Sequence, residues 1–139
     1  MKTTRELEQK IRSGKDPRLL LGPDFDAPAL TDYLHALLQQ RGLTVGEAIQ
    51  RCNLDRSYGY QLFNGTRRPP RNMLVTLSLH LELGEKEAQR LLKLAGRPPL
   101  YARNRRDAAL LYALHHHLTP AQAEELLNGL EVHTLEPDI

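Results

Sequence analysis

Five residues of one short stretch carry groups suited to hydrogen bonding with bases: Arg56, Ser57, Tyr60, Gln61 and Asn64. At roughly 100° of turn per residue they share one face of a helix, while Tyr58, Gly59 and Leu62 fall on the other. A guanidinium donates in a fork that matches guanine, a carboxamide both donates to and accepts from adenine, and hydroxyls do either. The competing account is an ordinary solvated face. Such faces usually mix in Glu or Lys, and these five positions hold neither.

A base-reading helix has to be held still. Asp55 is placed to cap it and Gly65 to end it. Upstream, Thr44 and Glu47 have capping-box spacing with Leu43 as the staple, which predicts a helix to about Cys52 that buries Ala48, Ile49 and Cys52. Asn53, one of the few non-glycine residues that tolerates positive φ, then makes the turn. Two short helices around a tight turn predict a helix-turn-helix, with the second helix in a major groove whose ~12 Å width admits it. Asn64, Thr66, Arg67 and Arg68 follow at the helix exit, beside the expected sugar-phosphate backbone, where contacts position a protein without reading sequence. Thr44, at the amino end of the first helix of the pair, is expected to offer N–H groups to a phosphate.

The flanking segments read as supports. Thr3 with Glu6 predicts a helix from Thr4 to Ser13 that stops at Gly14 and has few apolar positions, Leu7 and Ile11. Lys15 to Asp26 reads as an ordered connector whose Leu19, Leu20 and Leu21 enter a neighbouring groove. Asp26 caps the next helix with Pro28 in its first turn, and Leu30, Tyr33, Leu34, Leu37 and Leu38 form an apolar stripe that ends at Gly42 in the αL position. After Pro69 and Pro70 comes a helix with Leu74, Leu77, Ser78 and Leu81 inward. A further helix, Gly84 to Ala95, turns Ala88, Leu91, Leu92 and Ala95 to one side and closes at Gly96. Pro98 and Pro99 force an extended break. Asn104 with Asp107 starts a helix through Leu110, Leu111 and Leu114 to His115, His116 and His117. Thr119, Pro120 and Gln122 start the last, through Ala123, Leu126 and Leu127 to Gly129.

Three of these starts share a formula: Leu43-Thr44 with Glu47-Ala48, Leu83-Gly84 with Glu87-Ala88, and Leu118-Thr119 with Gln122-Ala123. Shared capping chemistry explains the likeness more simply than internal duplication. The expected organisation is an amino-terminal helix and connector (1–26), the helix-turn-helix domain (27–96), a two-helix extension of that domain (97–130) and a frayed tail (131–139).

The chain of 139 residues has room for one core. It is 40% hydrophobic but 5% aromatic with no Trp, so that core must be mostly Leu and Ala, and scarce β-branched residues point to an all-α protein. No apolar run approaches the ~18 residues of a membrane span, and the polar amino terminus does not read as a secretory signal. A lone Cys52 admits no internal disulfide and fits a reducing cytoplasm. The net charge of +2 conceals its distribution. Residues 41–71 carry six bases (Arg41, Arg51, Arg56, Arg67, Arg68, Arg71) against two acids (Glu47, Asp55), and residues 90–106 carry six (Arg90, Lys93, Arg97, Arg103, Arg105, Arg106) and no acid. Residues 121–139 hold five acids (Glu124, Glu125, Glu131, Glu136, Asp138) and no Lys or Arg. This predicts a polyanion-binding middle and a tail that faces water or a partner; solvated helix faces are the plainer account.

Enzymatic readings find little support. The three adjacent histidines point in different directions on a helix, whereas helical metal pairs need i, i+4 spacing, and histidines near a helix carboxy end are favourable in their own right. Cys52 is expected to face inward, and no Gly-rich phosphate loop or acid pair is evident. No catalytic residue, metal ligand or cofactor is expected.

Residues 29–96 resemble the phage-repressor (Cro/cI, or XRE) helix-turn-helix family. The resemblance is carried by Leu43-Thr44 with Ala48-Ile49, by Asp55-Arg56-Ser57-Tyr58, by Leu62-Phe63-Asn64-Gly65 and by the Arg67-Arg68-Pro69 exit. It implies a compact five-helix DNA-binding domain of the lambda-repressor type and a bacterial transcriptional regulator, typically a repressor, acting as a homodimer on double-stranded DNA. Base contacts would then come from Arg56, Ser57, Tyr60 and Gln61, and phosphate contacts from Asn64, Thr66, Arg67 and Arg68. The pattern departs from the family at four places. Val45 stands where a buttressing Gln is common, Asn53 replaces the turn glycine, Gly59 a core Val or Ile, and Pro70 a Ser cap. Gly59 is expected to cost roughly 0.5–1 kcal/mol in helix propensity, with a void beside it unless Tyr58 fills it. The full pattern also resembles a group of small bacterial regulators, some associated with Ser/Thr kinases. The second expectation is therefore a protein-interaction adaptor on the same fold, using Tyr58, Tyr60 and the carboxy-terminal helices to bind a signalling partner.

Overall fold

The computed structural model describes residues 4–13 and 29–135. The connector leucines, Gly14, the Asp26 and Pro28 start signals, the Leu7 side chain and residues 136–139 lie outside the described set. Among the described residues there are eight helices and no strand. They are α1 (Thr4–Ser13), α2 (Ala29–Gln40), α3 (Val45–Arg51), α4 (Arg56–Asn64), α5 (Arg71–His80), α6 (Glu85–Leu94), α7 (Arg105–His115) and α8 (Pro120–Gly129). None is long and apolar enough to cross a membrane.

One turn is used four times to join them. The first residue after the carboxy-terminal turn takes a left-handed φ, a leucine follows, and the next residue caps a new helix. The left-handed residues are Gly42 (φ 65°), Asn53 (φ 52°), Glu82 (φ 56°) and His117 (φ 53°). The leucines are Leu43, Leu54, Leu83 and Leu118, whose N–H groups donate five residues back to Leu38, Ile49, Ser78 and Ala113. This is the Schellman closure, which satisfies carbonyls that a helix end leaves without partners. Glu82 and His117 adopt it without glycine, against a left-handed penalty of roughly 1–2 kcal/mol. The capping boxes at Thr44–Glu47 and Thr119–Gln122 are formed in full, and the Thr44 hydroxyl accepts from the Glu47 N–H at 3.1 Å.

The buried side chains form two clusters that share a central pair of helices. Leu34, Leu37 and Leu38 of α2, Ala48 and Ile49 of α3, and Leu62 and Phe63 of α4 close on Leu77 of α5 and Leu91 of α6. The opposite sides of those two helices, Leu74, Val75 and Leu79 with Ala88 and Leu92, face Leu110, Ala113 and Leu114 of α7 and Ala123 and Leu127 of α8. Residues 97–130 thus complete the second cluster instead of trailing from the first. Ser78, buried between the clusters, donates its hydroxyl to Leu74 O at 2.7 Å. Arg41 ties α2 to the α5–α6 turn, with Nε on Leu81 O at 2.8 Å and Nη2 3.4 Å from Glu87.

The expected fraying after α8 does not begin at residue 131. Leu135 is buried, its N–H donates to Glu124 at 2.8 Å, and Arg106 donates to the carbonyls of His133 and Thr134. One of the acids assigned to a water-facing tail is therefore a main-chain acceptor within the fold.

Candidate nucleic-acid interface

The site begins with a close approach between α3 and α4. A Cβ built on Gly59 would lie 2.6 Å from Ile49 Cγ1 and 2.9 Å from its Cδ1. Ile49, not Tyr58, therefore fills the space a larger residue would take at Gly59, and no void is left. The two helices can approach because position 59 has no side chain, so the glycine that departs from the family pattern is matched by its neighbour. The Asp55 carboxylate accepts from the Tyr58 N–H at 3.0 Å, and Gly65 closes α4 at φ 83°. A Cβ at Gly65 would meet Thr31 Oγ1 at 2.7 Å. His35 Nε2 lies 2.8 Å from Phe63 O, which binds the end of α4 to α2. The outer face is thus mounted on two helices, α2 and α3.

That face carries the expected residues. Arg56, Ser57, Tyr60 and Asn64 are exposed and Gln61 is half-buried. The Arg56 guanidinium lies 5.9 Å from the centre of the Tyr60 ring, within cation–π range. Gly46, Ile49 and Gln50 of α3 line a hollow with Arg56 and Tyr60, a cavity of about 360 Å³. Gly46 and Gln50 were missed in the sequence, although their i, i+4 spacing on the side of α3 away from the core was the available signal.

The structure brings Gln61 and Arg67 together although they were expected to act apart. Arg67 Nε donates to Gln61 Oε1 at 3.0 Å while the guanidinium lies 5.3 Å from the centre of the Tyr58 ring. Burial raises the Tyr58 pKa above its ordinary value, and Arg67 partly opposes the shift. Asn64 Oδ1 accepts from the Thr66 N–H at 2.9 Å, so both residues shape the exit turn.

Two expected phosphate contacts are otherwise engaged. The Thr44 N–H donates to Glu47 Oε1 at 3.2 Å, so a carboxylate already occupies the place proposed for a phosphate. Arg68, although exposed, bonds back to the fold: Nε donates to Ala95 O at 2.7 Å and Nη2 to Gly96 O at 2.8 Å, satisfying the carboxy-terminal end of α6.

Arg68 belongs to a seam in which arginines bind main-chain carbonyls. Arg97 returns the contact by donating to Pro69 O at 3.0 Å. Arg71 donates to Pro98 O at 2.9 Å and Pro99 O at 2.8 Å, and forms a forked pair with Asp107 at 2.9 and 3.1 Å. Prolines supply carbonyls without N–H groups, and arginine supplies donors without acceptors, so the two are complementary. Asp107 also accepts from the Tyr101 N–H. Burial alone would raise its pKa, but hydrogen bonds from Arg71 and Tyr101, with the charges of Arg71 and Arg106, hold it below the ordinary 3.8. Eight of the twelve bases in the two basic stretches have partners within the protein: Arg41, Arg67, Arg68, Arg71, Arg97 and Arg106 on oxygens, and Arg56 and Arg90 over tyrosine rings at 5.9 and 5.2 Å. Counting charges therefore overstated the surface offered to a polyanion.

Cys52 is buried, and desolvation pushes its thiol up to about 11. His115 lies 3.8 Å from Glu85 and His116 packs on Tyr112, and the described residues hold no group of three or more His, Cys, Asp or Glu placed to bind a metal. No family model, curated protein or solved structure matches the chain.

Proposed function

We propose that the protein binds double-stranded DNA and regulates transcription as a cytoplasmic repressor, with α4 in the major groove. The observation that carries the reading is the outer face of α4. Arg56, Ser57, Tyr60 and Gln61 stand together without an acid among them, on a helix fixed against α3 by the Gly59–Ile49 contact. A rigid mount matters because bidentate base contacts lose their selectivity when the donors can shift. Arg67 and Asn64 flank the face where phosphates would run. The lambda-repressor type of domain supplies the expectation of a homodimer on half-sites about 34 Å apart or a multiple of that.

Selection of bound sequences from a random duplex pool tests the reading. The expected result is an enriched motif of two related half-sites and an affinity that falls steeply with salt through counterion release. Recovery of unenriched sequences at physiological salt would reject it.

A second reading, a protein-binding adaptor, draws support from the arginine seam. Guanidinium groups bonded to carbonyls within the fold are lost to phosphate binding. In that case a partner should be retained after nuclease treatment, with no DNA recovered.

A further inference from the structure

Arg67 has donors and no acceptor, so the atom of the Gln61 amide that faces it must be oxygen. That fixes which way the amide is turned: Oε1 faces Arg67 of the exit loop, and the NH₂ group lies on the other side of the amide from it. The arrangement is held from a second side, because the same guanidinium lies over the Tyr58 ring. An adenine read by glutamine needs both ends of the amide, the oxygen for N6–H and the nitrogen for N7. With one lone pair of its oxygen taken by Arg67, Gln61 has its NH₂ group freer than its oxygen to meet a base. Arg56 is a donor by its nature. Asp55, the nearest carboxylate in sequence, is engaged by the Tyr58 N–H.

We infer that Arg67 sets the specificity of the α4 face at Gln61, by holding the amide oxygen aside and so selecting guanine over adenine opposite it. The inference rests on α4 being the DNA-reading helix. Guanine presents two acceptors, O6 and N7, in the major groove, whereas adenine presents one acceptor beside a donor that would face the Gln61 NH₂. Arg56 and Gln61 are five residues apart, about 7.5 Å along a helix axis. That spans about two steps of 3.4 Å along one strand. The expected target is therefore an acceptor-rich half-site with two guanines about two base pairs apart. Arg67 acts through Gln61 as a positioning residue, in addition to any contact of its own with phosphate.

Random-pool selection on the full chain, run in parallel for wild type, Arg67→Ala and Gln61→Met, tests this. Wild type should enrich guanine at both positions. Arg67→Ala should free the Gln61 oxygen and shift that one position toward adenine by about tenfold, while the Arg56 position keeps guanine. Gln61→Met should remove the guanine preference at its own position only, and if Arg67→Ala binds too weakly to select, selecting with it at lower salt, which strengthens binding, decides the matter. Adenine opposite Gln61 in the wild type, or guanine retained there in either variant, would overturn the inference and leave DNA reading intact. A wild type that enriches no motif would remove the DNA-reading proposal itself.

Discussion

Two regions of the molecule use the same residue type in opposite ways. On the outer side of α4, Arg56 and Arg67 lie over aromatic rings at the surface, and the helix beneath them is held by apolar contact, Ile49 against Gly59. Along the seam between residues 68–71 and 95–107, Arg68, Arg71 and Arg97 turn inward onto carbonyls and one carboxylate. One region keeps its guanidinium groups on nearby side chains at the surface; the other uses them to fasten main chain distant in sequence. Adjacent arginines therefore cannot be assigned to one task from their sequence position or from local charge.

The comparison predicts different failure modes. The largest effect should come from Asp107→Ala, which leaves the Arg71 guanidinium without its forked partner. Loss of one member of a buried pair costs about 3–5 kcal/mol, and the lower end is expected because the Arg71 side chain is 24% exposed. The same residue sets an acid limit. Its folded pKa lies below the ordinary 3.8, so its stabilising contribution is present above that value and lost as pH falls through the lower folded one. Chemical denaturation of wild type and Asp107→Ala from pH 7 down to pH 2 should show the gap between them narrowing.

The α3–α4 pair should fail differently, by crowding. Gly59→Ala puts a methyl group where Ile49 already lies. Overpacking costs about 1–3 kcal/mol, and the helix-propensity gain of roughly 0.5–1 kcal/mol does not offset it fully. Combining it with Ile49→Val should cost less than the sum of the two single changes. Additivity in that double-mutant cycle would show that the contact does not fasten α4.

Much of the frame was legible because caps and closures are local. Asp55, Gly65, Gly42 and Asn53 were placed correctly from residue type alone, since an N-cap needs a short acceptor side chain and a left-handed turn favours Gly or Asn. The polar face of α4 was legible for the same reason: helical geometry fixes which residues share a side. What failed was non-local. Nothing near Arg68 announces that its acceptors lie 27 and 28 residues away, and the complement of Gly59 is a side chain on another helix. Glu82 and His117 take left-handed turns that neither residue type advertises. The docking of Leu135 depends on Glu124 and Arg106, again at a distance along the chain.

Arg67 and Arg68 allow the most direct test, because they are neighbours with opposite assignments. Each is changed to Ala, and the denaturation midpoint and the salt dependence of duplex binding are measured for both. Arg68→Ala should lower stability by about 1.5–3 kcal/mol, the usual scale for a charged hydrogen bond, and leave the salt slope of the folded protein unchanged. Arg67→Ala should cost less, under about 1 kcal/mol, because its one hydrogen bond is to a local, solvent-reached side chain, while weakening binding and reducing the salt slope by about one unit. If Arg68→Ala reduces the slope, or Arg67→Ala lowers stability and leaves binding intact, the division between arginines that fasten the fold and those that serve the α4 face is wrong.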